Sequence, residues 1–391
     1  MVVGVLGAGG TIAPAIVRDL AGSEEVDALR LLDLDPARAE AVARAHGCGK
    51  ATSMAVEPNG EDRAGEIESR LGGVDVVVNS ASYRINLDAM RACLAAGCHY
   101  LDLGGLYWMT QRQLELSEEF SAAGLLAILG IGSAPGKTNL LASRAAQVLA
   151  GDPSEQARAD AESASIAPGP LDSAHAAAAG RDLNPPRGES FPYALRTLVD
   201  EATMSPIAIE GGEPVELDPL SEGGELDFGD PIGTTSTIYT LHSEVLTFPT
   251  SFGCTEASFR LSLAPRVEER LRELTDADEA EVERVAAAAA PPSDGTLSVH
   301  LADCTRDGRH VRVRSITEPI PDWGLGGGIV STATPAAAAV RLLARGALAA
   351  RGALPPERCI EPRMMFGELE RRGVRFEVGA PSAVAARGVA G

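Results

Sequence analysis

The chain has 391 residues, 45% of them apolar, and a formal net charge of −21. That length supports two or three domains, and that charge makes nucleic acid and anionic membranes poor partners. No apolar run reaches the length of a membrane span, and a strand-like start at Val2 leaves no room for a signal peptide, so a cytoplasmic location is expected.

Six cysteines, at 48, 93, 98, 254, 304 and 359, form no C-x-x-C pair. Several sit in apolar patterns, so reduced thiols are expected. No Cys/His spacing resembles a zinc site, and no metal is expected. Lysine occurs only at Lys50 and Lys137, and arginine supplies the other basic side chains. An acidic chain of this kind attracts cationic small molecules.

The apolar run at residues 2–6 breaks at Gly7, Gly9 and Gly10, then resumes with helical spacing through Ile12, Ile16, Val17 and Leu20. A buried parallel strand feeding a helix reads this way. Glycines at the turn let backbone N–H groups and the helix dipole hold a pyrophosphate. Pro14 falls near the first helical turn, where its missing N–H is not needed. The spacing departs from G-x-G-x-x-G. Either Ala13 replaces the last glycine in a loop one residue longer, or Gly7, Gly10 and Ala13 form G-x-x-G-x-x-A. Residues 29–33 read as a second strand ending in Asp33, about 20 residues after the helix starts, where an acid accepts from the adenosine ribose hydroxyls and repels a 2′-phosphate. Gly7, Gly9, Gly10, Thr11, Ile12 and Asp33 are therefore candidate cofactor residues. NAD is the expected cofactor, with NADP possible.

Residues 36–45 read as a surface helix capped by Asp35-Pro36, and 51–70 as a turn at Asn59-Gly60 and a further exposed helix. Residues 74–79 are an apolar, β-branched run of buried-strand type. The loop after it starts at Asn79, Ser80 and Ala81 and should pass beside the cofactor. Tyr83 and Arg84 follow, with Arg84 either a substrate ligand or a solvated loop arginine. Residues 86–96, 114–123 and 140–149 read as helices, and 100–103 and 125–129 as strands. That makes at least five β–α repeats, enough for a complete nucleotide-binding domain. The stretch Gly136-Lys137-Thr138 resembles a phosphate-binding P-loop, but Ile131 stands where G-x-x-x-x-G-K-[ST] needs glycine. The better reading is a helix N-terminus able to hold a carboxylate through its N–H groups.

From Gly151 the composition shifts to alanine, proline, glycine and acids. Residues 159–167, 234–246, 256–263, 296–302 and 310–316 alternate as strands do, 205–209 is short and apolar, and Gly211-Gly212 reads as a hairpin turn. Residues 267–290 and 334–345 read as helices, and 374–378 as a last strand. The expected fold class is α/β: a Rossmann-type doubly wound parallel sheet plus an α+β substrate and oligomerisation domain with a mostly antiparallel sheet. The expected boundaries are 1–130, 131–322, and a C-terminal segment 323–391 returning to the first domain.

Several segments carry a family likeness: Asn86-Leu87-Asp88, Ala96-Gly97-Cys98-His99-Tyr100-Leu101-Asp102, Leu103-Gly104-Gly105-Leu106-Tyr107 with Gln113-Leu114-Glu115-Leu116, Ala134-Pro135-Gly136-Lys137-Thr138-Asn139, Tyr239-Thr240-Leu241-His242-Ser243-Glu244, and Gly352-Ala353-Leu354-Pro355-Pro356-Glu357. Spread over most of the chain, they resemble the saccharopine dehydrogenase family, and within it the lysine 6-dehydrogenase-like branch. The resemblance implies oxidation at a carbon bearing an amine. In that branch the side-chain amine of L-lysine is oxidised with NAD, ammonia is released, and the semialdehyde cyclises to piperideine-6-carboxylate. The alternatives are a saccharopine dehydrogenase or reductase, a carboxynorspermidine-type enzyme acting on a secondary amine, or a non-catalytic NAD-binding regulator. A homodimer or homotetramer is expected.

Hydride leaves carbon only when the attached nitrogen has a free lone pair, so an ammonium must first lose a proton. His242 is the candidate proton-handling group because imidazole titrates near neutrality, with Tyr239 as a catalytic hydroxyl beside it. Period two places Thr240, His242 and Glu244 on one strand face, which makes Thr240 and Glu244 candidate substrate ligands. Arg84, Gly104 and Asn139 join them. Asp102 either binds the substrate amine or stabilises the Gly104-Gly105 turn. Additional substrate carboxylates would demand pocket arginines, and Arg84, Arg181 and Arg196 are available. His46, His99 and His300 read as structural.

Overall fold

The computed structural model describes residues 1–57, 62–151 and 169–384. The turn expected at Asn59-Gly60 and the alternation at 159–167 lie outside the described residues. The strands in chain order are β1 (Val2–Leu6), β2 (Ala28–Asp33), β3 (Ala51–Ala55), β4 (Val76–Asn79), β5 (His99–Asp102), β6 (Leu126–Ile128), β7 (Ser173–Asp182), β8 (Ile207–Glu210) and β9 (Glu213–Glu216). They continue with β10 (Glu222–Asp227), β11 (Thr234–Tyr239), β12 (Glu256–Ser262), β13 (Thr296–Arg306), β14 (Arg309–Thr317), β15 (Gly352–Leu354), β16 (Arg375–Val378) and β17 (Ser382–Ala383).

Valine- and leucine-rich runs with no polar alternation bury both faces of their strands, and the result is a seven-stranded parallel sheet in the order β15-β6-β5-β4-β1-β2-β3. Strand order reverses at β1, which lies between β4 and β2, so the ligand crevice opens at the carboxyl ends of β1 and β4. The second sheet follows the path β10-β11-β12-β7-β13-β14-β16, with β8 on β12 and β17 on β14. Its pairings are antiparallel except β7 with β12. The fold class is therefore α/β, a Rossmann-like parallel sheet beside a mixed-sheet domain. The C-terminal residues serve both sheets: β15 extends the first beyond β6, and β16 extends the second beyond β14.

Three elements differ from the sequence expectations. The single helix expected over 267–290 is two, Pro265–Glu273 and Glu279–Ala288, because Asp278 restarts the chain by capping the Glu281 N–H at 2.8 Å. Residues 51–55, expected in a turn, form the edge strand β3, whose backbone pairs with β2. The alanine-rich helix spans Gly327–Ala344, starting seven residues before the expected 334. A Cβ on Gly327 would lie 2.4 Å from the Thr317 carbonyl oxygen, so glycine is what lets this helix begin against β14. By length and composition the helix is apolar enough to cross a membrane, but most of it is buried inside the fold, packed on β13, β14 and the helix Ala13–Ala21.

Candidate active site

The glycine turn after β1 is built around close approach. Gly7 has φ +77°, and a Cβ there would lie 2.6 Å from the Ala81 backbone. Gly10 closes the turn by donating its N–H to the Gly7 carbonyl at 3.0 Å. The helix Ala13–Ala21 follows with no side-chain cap and no acid in its first turn. Pro14 has no N–H and the Ala15 N–H donates to the Ile12 carbonyl at 3.1 Å, so the N–H groups left for an anion are those of Thr11, Ile12 and Ala13. Asp33, at the end of β2, accepts from the Gly9 N–H at 2.7 Å and the Asp35 N–H at 2.9 Å. This loop, with an acid beside it and no side chains in its way, fits a dinucleotide. Gly7→Ala is expected to force the β1 and β4 loops apart and weaken dinucleotide binding at least about tenfold, which calorimetric titration would read directly.

Asn79 holds the neighbouring loop instead of facing a ligand. Its amide donates to Asn86 Oδ1 at 2.9 Å and Tyr100 Oη at 3.2 Å, and its Oδ1 accepts from the Ala81 N–H at 3.1 Å. Ser80 Oγ donates to the Leu6 and Gly7 carbonyls, tying this loop to the glycine turn. Ile12, Ser80 and Ala81 line a cleft that lies between the two sheets, with a volume of about 300 Å³. Thr11 is exposed beside it.

Gly104, Pro135 and Tyr83 face the cleft from the first domain; Tyr193, Glu201, His242, Phe259 and His300 face it from the second. His242 is 5% exposed and stacks on Phe259 with ring centroids 3.6 Å apart. Its Nε2 lies 3.7 Å from Glu201 Oε2 and its Nδ1 lies 3.4 Å from Glu244 Oε2. Neither nitrogen has a hydrogen-bond partner, so the coupling is Coulombic. Burial disfavours the imidazolium, but the two carboxylates outweigh it and raise the pKa to about 9. Tyr193 Oη donates to Glu201, and Thr138 Oγ1 donates to Glu244 at 2.7 Å.

The strand expected over 234–246 ends at Tyr239; residues 240–243 form a turn, and a helix runs Glu244–Phe252. The physical reason is that the Leu241 N–H leaves the ladder to donate to the Glu201 carbonyl at 2.8 Å. His242 and Glu244 still meet, but across a helix start and not along a strand face. Thr240 is buried with its Oγ1 unpartnered and does not line the cleft, and neither does Tyr239, held at the end of β11.

Three further expectations differ from the structure, and for Asp102 the structure favours one of the two alternatives. Arg84 is neutralised by Asp200 at 3.0 Å and Glu279 at 2.8 Å, a strut between the domains that Tyr83 joins by donating to Asp200 at 2.7 Å. Asp102 is in the interior, accepting from Gln113 at 2.6 Å and from the Gly130 and Gly104 N–H groups at 2.7 and 3.0 Å, so it stabilises the turn. Burial raises its pKa while those donors lower it, with burial prevailing. Asn139 is occupied too: its Oδ1 accepts from the Gly136 N–H, and its amide donates to Glu357 and Thr247. The start of the helix Lys137–Leu149 offers no carboxylate site, since the Lys137 and Thr138 N–H groups already donate to the Gly132 and Ser133 carbonyls.

Sequence reasoning missed Glu201, Tyr193 and His300 as cleft residues. Arg181 and Arg266 also line the cleft, and neither forms an ion pair among the described residues. Arg196, by contrast, is paired with Asp200 at 3.3 Å.

Residues 3–128 match the family model described as the saccharopine dehydrogenase NADP binding domain. Among solved structures, the apo histidine-tagged saccharopine dehydrogenase (L-Glu forming) from Saccharomyces cerevisiae is 14% identical, with a TM-score of 0.68, covering 97% of this chain and 100% of that chain. An NAD binding oxidoreductase from Klebsiella pneumoniae is 12% identical with a TM-score of 0.40, covering 97% and 98% respectively. The yeast protein is similar to this chain in fold across both domains. The glycine turn, its acid and the family match agree: the N-terminal domain is similar to the saccharopine dehydrogenase NADP binding domain and fits a nicotinamide dinucleotide.

Proposed function

We propose that this protein is a dehydrogenase that oxidises the side-chain amine of L-lysine, or of a closely related amino acid, with NAD. The products are ammonia and a semialdehyde that cyclises to piperideine-6-carboxylate. The observation that carries this reading is the trio Glu201–His242–Glu244 in the wall of a cleft that opens beside the glycine turn. Two carboxylates around one imidazolium make this end of the cleft a place for a cationic amine, while Arg181 and Arg266 line the same cleft without ion-pair partners among the described residues. Glu201 faces the cleft and is placed to hold the ammonium. When bound, the nicotinamide supplies the hydride acceptor. His242 stays protonated through neutral pH, so its part is to give a proton to the departing nitrogen. The reading of NAD over NADP rests on Asp33, an acid at the end of β2 beside the glycine turn, whose charge would repel a 2′-phosphate.

A second reading, oxidation of a secondary amine that carries additional carboxylates, is favoured by the unpaired Arg181 and Arg266. Nicotinamide absorbance with lysine, saccharopine and simple diamines separates the two. Reduction of NAD by lysine alone, with ammonia released, is the expected result. Turnover of saccharopine but not lysine would establish the second reading, and silence on every amine would overturn both.

A further inference from the structure

We propose that His300 is a second catalytic histidine, the neutral imidazole that takes the proton from the substrate's ammonium group. This rests on the amine-oxidising reading above. β13 places Ser298 and His300 on one face, two residues apart, and β14 sets Thr317 opposite Ser298 and Ser315 opposite His300. Four polar side chains therefore share one buried patch of the sheet. Ser298 and His300 line the cleft. His300 is only 4% exposed, yet its Nδ1 has no hydrogen-bond partner, and neither do the buried hydroxyls of Ser298 and Ser315. Orphaned polar groups in such number are costly in a folded chain, and a ligand carrying N–H groups relieves that cost.

The charges around His300 reinforce the assignment. Lys137 faces it from the helix Lys137–Leu149, its ammonium donating to Ser331 at 2.5 Å and Thr317 at 3.1 Å. His242 faces it from the turn after β11, with Glu201 and Glu244 around that ring. Burial, then Lys137 and the His242 cation, hold His300 well below the usual histidine range, while burial brings Lys137 itself down to about 7 and His242 is raised to about 9. Two imidazoles in one cleft in opposite protonation states are an acid and a base. In the step, an N–H bond of the ammonium breaks, its electron pair stays on nitrogen, and the proton goes to the His300 imidazole. The freed lone pair on nitrogen is what hydride loss from the adjacent carbon would require once a hydride acceptor is bound.

The test compares the full-length protein with His300→Gln and His300→Ala. Both variants should keep the wild-type melting temperature and NAD affinity and lose about 100-fold or more in kcat/KM on lysine at neutral pH. Their rates should climb about tenfold per pH unit toward the amine pKa of about 10.4, where free amine needs no base, while the wild type levels off earlier. In nitrogen-15 histidine NMR, the signal missing from His300→Gln should report a neutral ring at neutral pH and change when lysine binds with NADH. Variants within threefold of wild type with parallel pH profiles, or a His300 ring charged at neutral pH, would overturn the proposal. If the wild type oxidises no amine, the amine-oxidising reading fails. The base role then fails with it, and the NMR result separates the two failures: a neutral ring that responds to lysine keeps His300 in an amine-binding site, whereas a charged or unresponsive one removes it from the site altogether.

Discussion

His242→Ala is expected to lower kcat on the amine substrate by about 10²- to 10⁴-fold, the usual span for removing a positioned acid or base, while leaving NAD affinity unchanged. The ring sits between Glu201 and Glu244 and against Phe259, none of which belongs to the dinucleotide turn. The substitution also has a thermodynamic signature. Because the folded pKa is raised to about 9 from an ordinary 6.5, the imidazolium stabilises the fold fully below pH 6.5. That contribution is lost as pH rises toward 9. Wild-type stability should therefore decline across that window by roughly 3 kcal/mol, and denaturant midpoints of His242→Ala should show no such decline. A variant whose turnover matched the wild type would remove His242 from the chemistry. A variant with the wild-type pH slope would show that the slope belongs to another group.

Arg341→Met is expected to destabilise the fold by about 3 kcal/mol, because it removes the buried cation that bridges two buried carboxylates and leaves them only the more exposed arginines at their rim. Arg341 is 2% exposed; its Nε donates to Glu368 at 2.8 Å and its Nη1 to Asp19 at 2.9 Å. Asp19 belongs to the helix Ala13–Ala21, Arg341 to the helix Gly327–Ala344, and Glu368 to the helix Pro362–Glu370. Burial would raise the Glu368 pKa, but Arg345 and Arg341 prevail and bring it to about 2. Arg372 also reaches Asp19, at 2.8 Å. The cluster clamps the helix whose first turn faces the dinucleotide to the C-terminal part of the chain. The variant should therefore show a lower denaturant midpoint and weaker NAD binding together. An unchanged midpoint would mean that Arg345 and Arg372 suffice to neutralise Asp19 and Glu368.

The elements legible in the sequence were those written in contiguous residues. The glycine turn with Asp33 could be read because a buried strand, a tight turn and an acid at fixed separation occur within the first 33 residues. His242 stood out for the wrong local reason: a strand face was expected, and the structure has a turn and a helix start, yet the ring still meets Glu244. Glu201 was not legible, because its approach to His242 depends on how the helix Leu195–Thr203 packs beneath the turn after β11. The expected ligand role of Arg84 failed for the same reason, its partner Asp200 being 116 residues away. His300 did leave a signal, the polar alternation Thr296, Ser298, His300 within an apolar strand. One histidine in such a pattern reads as structural until the cleft is seen beside it.

The most direct test uses L-lysine deuterated at the carbon that bears its side-chain amine, incubated with the protein and NAD. The account predicts that deuterium moves into the reduced nicotinamide and that ammonia is released in equal amount. Reduced nicotinamide that carries no deuterium, or its complete absence, would contradict it.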